Sequence, residues 1–67
     1  MIQLIINGQS QQFETSLNVA QLIDHLALQG KRVAIECNGE IVPRSRFSEQ
    51  TLMHGDRLEV VVAVGGG

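Results

Sequence analysis

The stretch Asn18 to Gly30, Asn-Val-Ala-Gln-Leu-Ile-Asp-His-Leu-Ala-Leu-Gln-Gly, decides the fold, because it carries a helical period and lies between two hairpin signals. Val19, Leu22, Ile23 and Leu26 fall at i, i+3, i+4 and i+7 and form one apolar stripe, with Gln21, Asp24 and His25 on the wet side. Asn18 can cap the first turn, and Gln21 three residues on completes an approximate capping box. Leu17 and Leu22 are placed to form the matching hydrophobic staple. Gly30 is expected at the left-handed position after the helix, with Lys31 and Arg32 complementing the negative end of its dipole.

Working outward towards the start, Ile2, Leu4 and Ile6 alternate with Gln3 and Ile5, which reads as a strand. Asn7-Gly8 supplies the two positive-φ residues of a type I′ turn, and Gln9 to Glu14 returns as a second strand anchored by Phe13. Towards the end, Val33, Ile35 and Cys37 alternate in a third strand, Asn38-Gly39 is a second hairpin turn, and Glu40 to Val42 is a short fourth strand. Pro43 stops that strand and favours an edge position, since proline has no N–H to give a ladder. Arg44 to Thr51 has no clean period, and Phe47 and Leu52 are its expected core anchors. His54-Gly55-Asp56 reads as a turn, and Arg57 to Ala63 as a last strand with Leu58, Val60 and Val62 on one face and Glu59, Val61 and Ala63 on the other. The pattern is ββαββ with a short excursion. It predicts an α+β domain, a mixed sheet with one helix across one face. The expected core is Ile2, Leu4, Ile6, Phe13, Leu17, Val19, Leu22, Ile23, Leu26, Val33, Ile35, Ile41, Leu52, Leu58, Val60 and Val62. The domain is expected to span residues 1–63, with a flexible glycine tail at 64–67.

The chain has 67 residues, enough for one core and too few for a deep cleft between lobes. At 43% hydrophobic residues it is apolar enough to fold, and a free-standing enzyme with a buried cofactor is disfavoured by size. Five basic and seven acidic residues, with the basic ones never in a stripe, disfavour nucleic-acid binding. The longest apolar runs fall far short of the ~18 residues of a membrane span. Met1-Ile2-Gln3 lacks the positive start of a signal peptide. One cysteine allows no internal disulfide, and the expected compartment is the reducing cytoplasm.

Few residues offer chemistry of their own. Cys37 falls on the inward register of its strand, where a thiolate has nothing to stabilise it, so a small core residue is expected there. His25 and His54 share no metal-ligand spacing with Cys37, and no metal site is expected. Neither a phosphate-binding glycine loop nor a nucleophile elbow occurs. Asp56 is expected to fix its turn by a side-chain bond to the backbone. Arg44 and Arg46 flank Ser45 and are either a solvated loop or a partner contact. Ile5 and Val61 sit opposite their strands' core residues, and together could form a partner-binding patch.

The ending is harder to dismiss. Three consecutive glycines, Gly65, Gly66 and Gly67, occur at a chain end by chance in roughly three or four chains per ten thousand at ~7% glycine. A frayed end or an engineered remnant would also produce them. Three residues without side chains also make a thin rod, reaching about 10 Å at ~3.3–3.6 Å per residue. Such a rod can enter a narrow channel in another protein while the folded body docks outside. A nucleotide-activating enzyme could there convert the Gly67 carboxylate to an acyl adenylate, with no Cβ to shield the carbonyl carbon.

The segments Ile2 to Gly8, Val19 to Leu26, Asn38 to Arg44, Gly55 to Val61 and Ala63 to Gly67 together resemble the ubiquitin-like β-grasp group, and within it the ThiS family of sulfur carriers in thiamine thiazole biosynthesis. The resemblance implies a ubiquitin-like β-grasp fold with sheet order 2-1-5-3-4, the first and last strands parallel at the centre, and Ile5 beside Val61. It implies that Gly67, preceded by Gly66, carries sulfur as a thiocarboxylate, and that the chain is not itself an enzyme. The implied partners are a ThiF-type adenylating enzyme related to the ubiquitin-activating enzymes, using ATP and Mg²⁺, a cysteine desulfurase as sulfur source, and a ThiG-type thiazole synthase as acceptor. No cofactor bound to the chain itself is implied. Gly65 exceeds the family minimum. Carriers for molybdopterin, tRNA thiolation or cysteine and methionine synthesis stay open, as does a β-grasp binding or regulatory module.

Overall fold

A computed structural model describes residues 1–63; the expected tail at 64–67 lies outside the described residues. The strands are β1 (Ile2–Ile6), β2 (Gln9–Phe13), β3 (Val33–Cys37), β4 (Glu40–Val42) and β5 (Arg57–Val62), and the helix is α1 (Val19–His25). A single 3-10 turn, Arg44–Arg46, follows Pro43. One sheet runs in the order β2-β1-β5-β3-β4, with β1 and β5 parallel and the other pairs antiparallel. Each hairpin supplies one side of the sheet, and β5 enters between them last.

The two hairpin turns do more than reverse the chain. Asn7 and Asn38 take positive φ (52° and 53°), followed by Gly8 and Gly39 (82° and 86°), the geometry that a type I′ turn requires. Their side chains then reach β5. Asn7 Oδ1 accepts from the Val60 N–H at 2.8 Å while its Nδ2 donates to the Val60 carbonyl at 3.2 Å, prolonging the parallel ladder past the end of β1. Asn38 Oδ1 accepts from the Arg57 N–H at 3.0 Å and its Nδ2 donates to Asp56 Oδ1 at 3.0 Å. Asp56 Oδ2 accepts from the Met53 N–H at 2.8 Å, which is the turn-fixing role expected of it.

The helix N-terminus is fully served by its own fold. The capping box is complete, with Asn18 Oδ1 accepting from the Gln21 N–H and Gln21 Oε1 from the Asn18 N–H, both at 2.8 Å. The Val19 and Ala20 N–H groups donate to the carbonyls of Gln50 (3.0 Å) and Phe47 (2.9 Å). The aperiodic segment after Pro43 therefore supplies acceptors to two of the four donors that every helix start leaves over, and the capping box supplies the other two. Leu52, fully buried, fastens it, and the Leu52 N–H donates to the Leu17 carbonyl at 2.8 Å.

Leu4, Val19, Leu22, Ile35, Leu52 and Leu58 are fully buried between helix and sheet, with Ile6, Ile23, Cys37, Val42 and Val60 close behind. Ile2, Phe13, Leu17, Leu26 and Val33 pack half-buried around them. Two expected core residues fall outside it: Val62, at the end of β5, is only half-buried, and Ile41 is 75% exposed with Val42 buried instead. For Ile41 the reason is register. The two-residue turn sets Cys37 against Glu40, hence Glu36 against Ile41 and Ile35 against Val42. Cross-strand partners share a face, so Val42 joins Ile35 inside.

The helix is also shorter than Gly30 implied. It ends at His25, with Leu26 as C-cap and Ala27 as the left-handed C′ residue (φ 59°); Gly30 also takes positive φ (78°), but in the turn beyond the helix. The Ala27 N–H bonds to the Asp24 carbonyl and the Leu28 N–H to that of Ile23, both at 3.0 Å, which closes a Schellman motif. Leu28 thereby folds back onto the core. An alanine at this φ is strained, whereas glycine is not. Ala27→Gly is therefore expected to raise stability by about 0.5–1 kcal/mol after the extra unfolded-state entropy of glycine is counted. Urea denaturation checks this: a lower midpoint in the variant would contradict it.

Candidate docking surface at the root of the C-terminal tail

None of the described residues covers the sheet face away from the helix. Cross-strand register places Gln3 and Ile5 of β1, Arg57, Glu59 and Val61 of β5, Ala34 and Glu36 of β3, and Ile41 of β4 on it. Val61, 61% exposed, lies directly opposite Ala34. Beyond it, the Ala63 N–H donates to the Arg32 carbonyl at 2.9 Å, so the last described residue is still tied to the sheet.

The sequence-expected docking residues separate into three places. Val61 and Arg44 come together, lining one shallow depression of ≈ 250 Å³ with Arg32, Val33, Ala34 and Ala63. Arg46 lines a different depression, with Cys37, Glu40, Ile41, Val42, Pro43 and Gln50. Ile5 shares the face and sits on the neighbouring strand, but it is half-buried and not beside Val61. The parallel register sets Ile5 against Arg57. Val61 lies four residues further, about 13 Å along the strand at ~3.3 Å per residue. The true neighbours of Val61 are Ala34, Arg32 and Arg44, which come from segments too far apart in the chain for any local period to reveal. Ile41 was the other miss, and counting back from the Asn38-Gly39 turn would have found it.

The remaining candidates take structural roles. Cys37 is buried; burial, and then the nearby Asp56 carboxylate, push its thiol above the ordinary range, away from thiolate chemistry. His54 Nδ1 accepts from the Gln3 N–H at 3.0 Å, pinning the last turn against β1. His25 is exposed, with its ring edge-on to Phe13 at 4.9 Å between centroids. No group of three or more His, Cys, Asp or Glu side chains among the described residues could hold a metal ion. Among the described residues, no helix is long and apolar enough to cross a membrane. Gly65, Gly66 and Gly67, expected to form the sulfur-carrying end, lie outside the described residues.

A five-stranded mixed sheet in this order, its central pair parallel and one helix on one face, is the ubiquitin-like β-grasp fold. Comparison with known proteins narrows the class. The ThiS family profile matches residues 4–67, and the chain belongs to that family. The crystal structure of the thiamine biosynthesis protein ThiS from Geobacter metallireducens superposes with a TM-score of 0.83 at 35% identity, covering 98% of this chain and 100% of that one. The sulfur carrier protein ThiS of Escherichia coli is 26% identical over 98% of this chain and 100% of its own length. A thiazole synthase from Paramagnetospirillum magneticum is 39% identical over 98% of this chain, which spans only 20% of that longer protein.

Proposed function

We propose that this chain is the sulfur carrier of thiamine thiazole synthesis, acting in the cytoplasm as a protein co-substrate and not as an enzyme. The observation that carries the proposal is the family match, which runs through the β-grasp body and on into Gly65, Gly66 and Gly67. The Gly67 carboxylate attacks the α-phosphorus of ATP in the ThiF-type partner, where Mg²⁺ balances the phosphate charge, and pyrophosphate leaves. A persulfide charged by a cysteine desulfurase then displaces AMP from the acyl adenylate to give an acyl disulfide, and a second thiol takes over the persulfide's inner sulfur as a disulfide, which releases the thiocarboxylate. Sulfur passes from there to a ThiG-type thiazole synthase. The stretch similar to this chain within a protein named thiazole synthase supports that acceptor. The chain supplies the carboxylate, three terminal glycines without side chains, and a docking face; the activating groups belong to the partners.

Intact-mass spectrometry tests the reading. The purified chain, incubated with the adenylating partner, ATP and a sulfur source, should gain the mass of one oxygen replaced by sulfur. No gain, under conditions that thiolate an established carrier, would overturn it.

The face around Val61 is the expected dock, with Arg44 at its edge and Arg46 and Ile5 as outlying contacts. Val61→Asp should weaken binding to the adenylating enzyme or to thiazole synthase about tenfold or more, because a carboxylate must lose water at a closed interface. Arg32 and Arg44 line the same depression and offer the new charge partners, so the fold should persist. Titration calorimetry with circular dichroism as the fold control decides it, and unchanged affinity would remove Val61 from the interface.

A further inference from the structure

The sequence assigned Lys31 and Arg32 to the helix dipole, but α1 ends at His25, and a dipole acts only within about its last turn. The two cations are thus without the local role expected of them. They meet Arg44 instead. Two adjoining depressions, ≈ 250 and ≈ 290 Å³, share Arg32, Val33 and Arg44; Lys31 borders the second. Their floors are apolar: Ala34, Val61 and Ala63 on one side, Ile23, Leu28 and Phe47 on the other. Among the described residues, no carboxylate lines either depression. In a chain of net charge −2, three of its five basic residues therefore gather at one end, on the residue that holds Ala63 and on its neighbours.

We propose that this basic collar at the root of the tail binds an acidic segment of the nucleotide-activating partner, at the mouth of the channel that admits the tail. The inference rests on the carrier reading and extends it to the chemistry of the partner surface. The collar does not serve the nucleotide itself. Four extended residues span about 13–14 Å at ~3.3–3.6 Å per residue, enough to hold a reacting carboxylate at Gly67 clear of these cations. Three cations on an acidic domain are too few to hold a nucleic-acid backbone. An acidic segment bearing an apolar side chain fits both parts: carboxylates to Arg32 and Arg44, the apolar group on the floor between them. Arginine pairs such carboxylates through two parallel N–H donors. Opposite charge around a threading site also raises the rate of productive encounter, and salt weakens it.

The test compares two double variants with the same charge change of −2. Arg32→Gln with Arg44→Gln removes the collar. Gln9→Glu with Gln12→Glu alters β2, at one edge of the sheet with β1 and β5 between it and β3. The readout is ATP–pyrophosphate exchange by a purified ThiF-type enzyme as a function of chain concentration, at low and at physiological salt. The collar variant should raise the KM for the chain about tenfold with kcat unchanged, and flatten its salt dependence. The β2 variant should stay within about twofold of the wild type. An unchanged KM in the collar variant, or equal rises in both, overturns the proposal. Direct titration of the two proteins separates it from the carrier reading. Salt-dependent binding that is lost with the collar, but without any exchange, leaves the collar standing and removes the carrier. Absence of both binding and exchange removes both.

Discussion

A chain lacking Gly67 should show no sulfur-dependent gain in mass. The truncated chain still ends in glycine and still carries a carboxylate, so the loss must come from position. One residue fewer withdraws the carboxylate by about 3.3–3.6 Å when the tail is extended. Misplacing a reacting group by about 1 Å can cost about 10²-fold, so a shift of this size should place adenylation below detection. Pyrophosphate exchange should fall in parallel. Binding to the adenylating enzyme should fall much less, because the described body of residues 1–63, with Val61 and Arg44, is unaltered. Equal mass gain in the truncated and full chains would show that the carboxylate's exact reach is irrelevant and would sink the assignment to Gly67.

The second large effect is on the fold. Leu52→Ala should lower the melting temperature by about 10 °C or more, or abolish cooperative unfolding. Leu52 is fully buried, and removing a buried leucine side chain costs about 2–5 kcal/mol. A domain of this length commands about 3–10 kcal/mol in total, at ~0.05–0.15 kcal/mol per residue. At about 4–8 °C per kcal/mol the shift is readily seen by thermal circular dichroism. The site is more sensitive than its cavity alone implies. Leu52 anchors the segment whose Phe47 and Gln50 carbonyls accept from the first turn of α1. Loosening it exposes those helix donors as well. A shift below about 4 °C would mean that the segment is held by something other than Leu52.

Much of this architecture was legible because its signals are local. Asn7-Gly8 and Asn38-Gly39 each specify a turn by the φ values they tolerate, and the stripe Val19, Leu22, Ile23, Leu26 specifies one buried helix face. The inward placement of Cys37 followed from simple alternation. Ile41 was legible in principle, since a two-residue turn already sets which of Ile41 and Val42 lies opposite Ile35. The end of the helix was not: alanine is an unfavourable residue for positive φ, and only the packing of Leu28 against the core makes Ala27 accept it. The docking surface was half visible. Alternation exposed Val61, but its partners Arg32 and Arg44 join it only through the pairing of β3 with β5 and the path of the chain after Pro43. The offset between Ile5 and Val61 is likewise a matter of parallel register, which no turn sets.

The asparagine side chains that flank β5 also determine how the molecule ages. An asparagine followed by glycine is the pair most prone to spontaneous loss of its amide nitrogen, and here both such pairs hold the central strand. Conversion of Asn7 to aspartate would remove the donor to the Val60 carbonyl. At Asn38 the damage is of another kind. A carboxylate would stand 3.0 Å from the Asp56 carboxylate, replacing a hydrogen bond with repulsion beneath the start of β5. Old molecules should therefore fail first at this turn, while Gly65, Gly66 and Gly67 have no side-chain amide to lose.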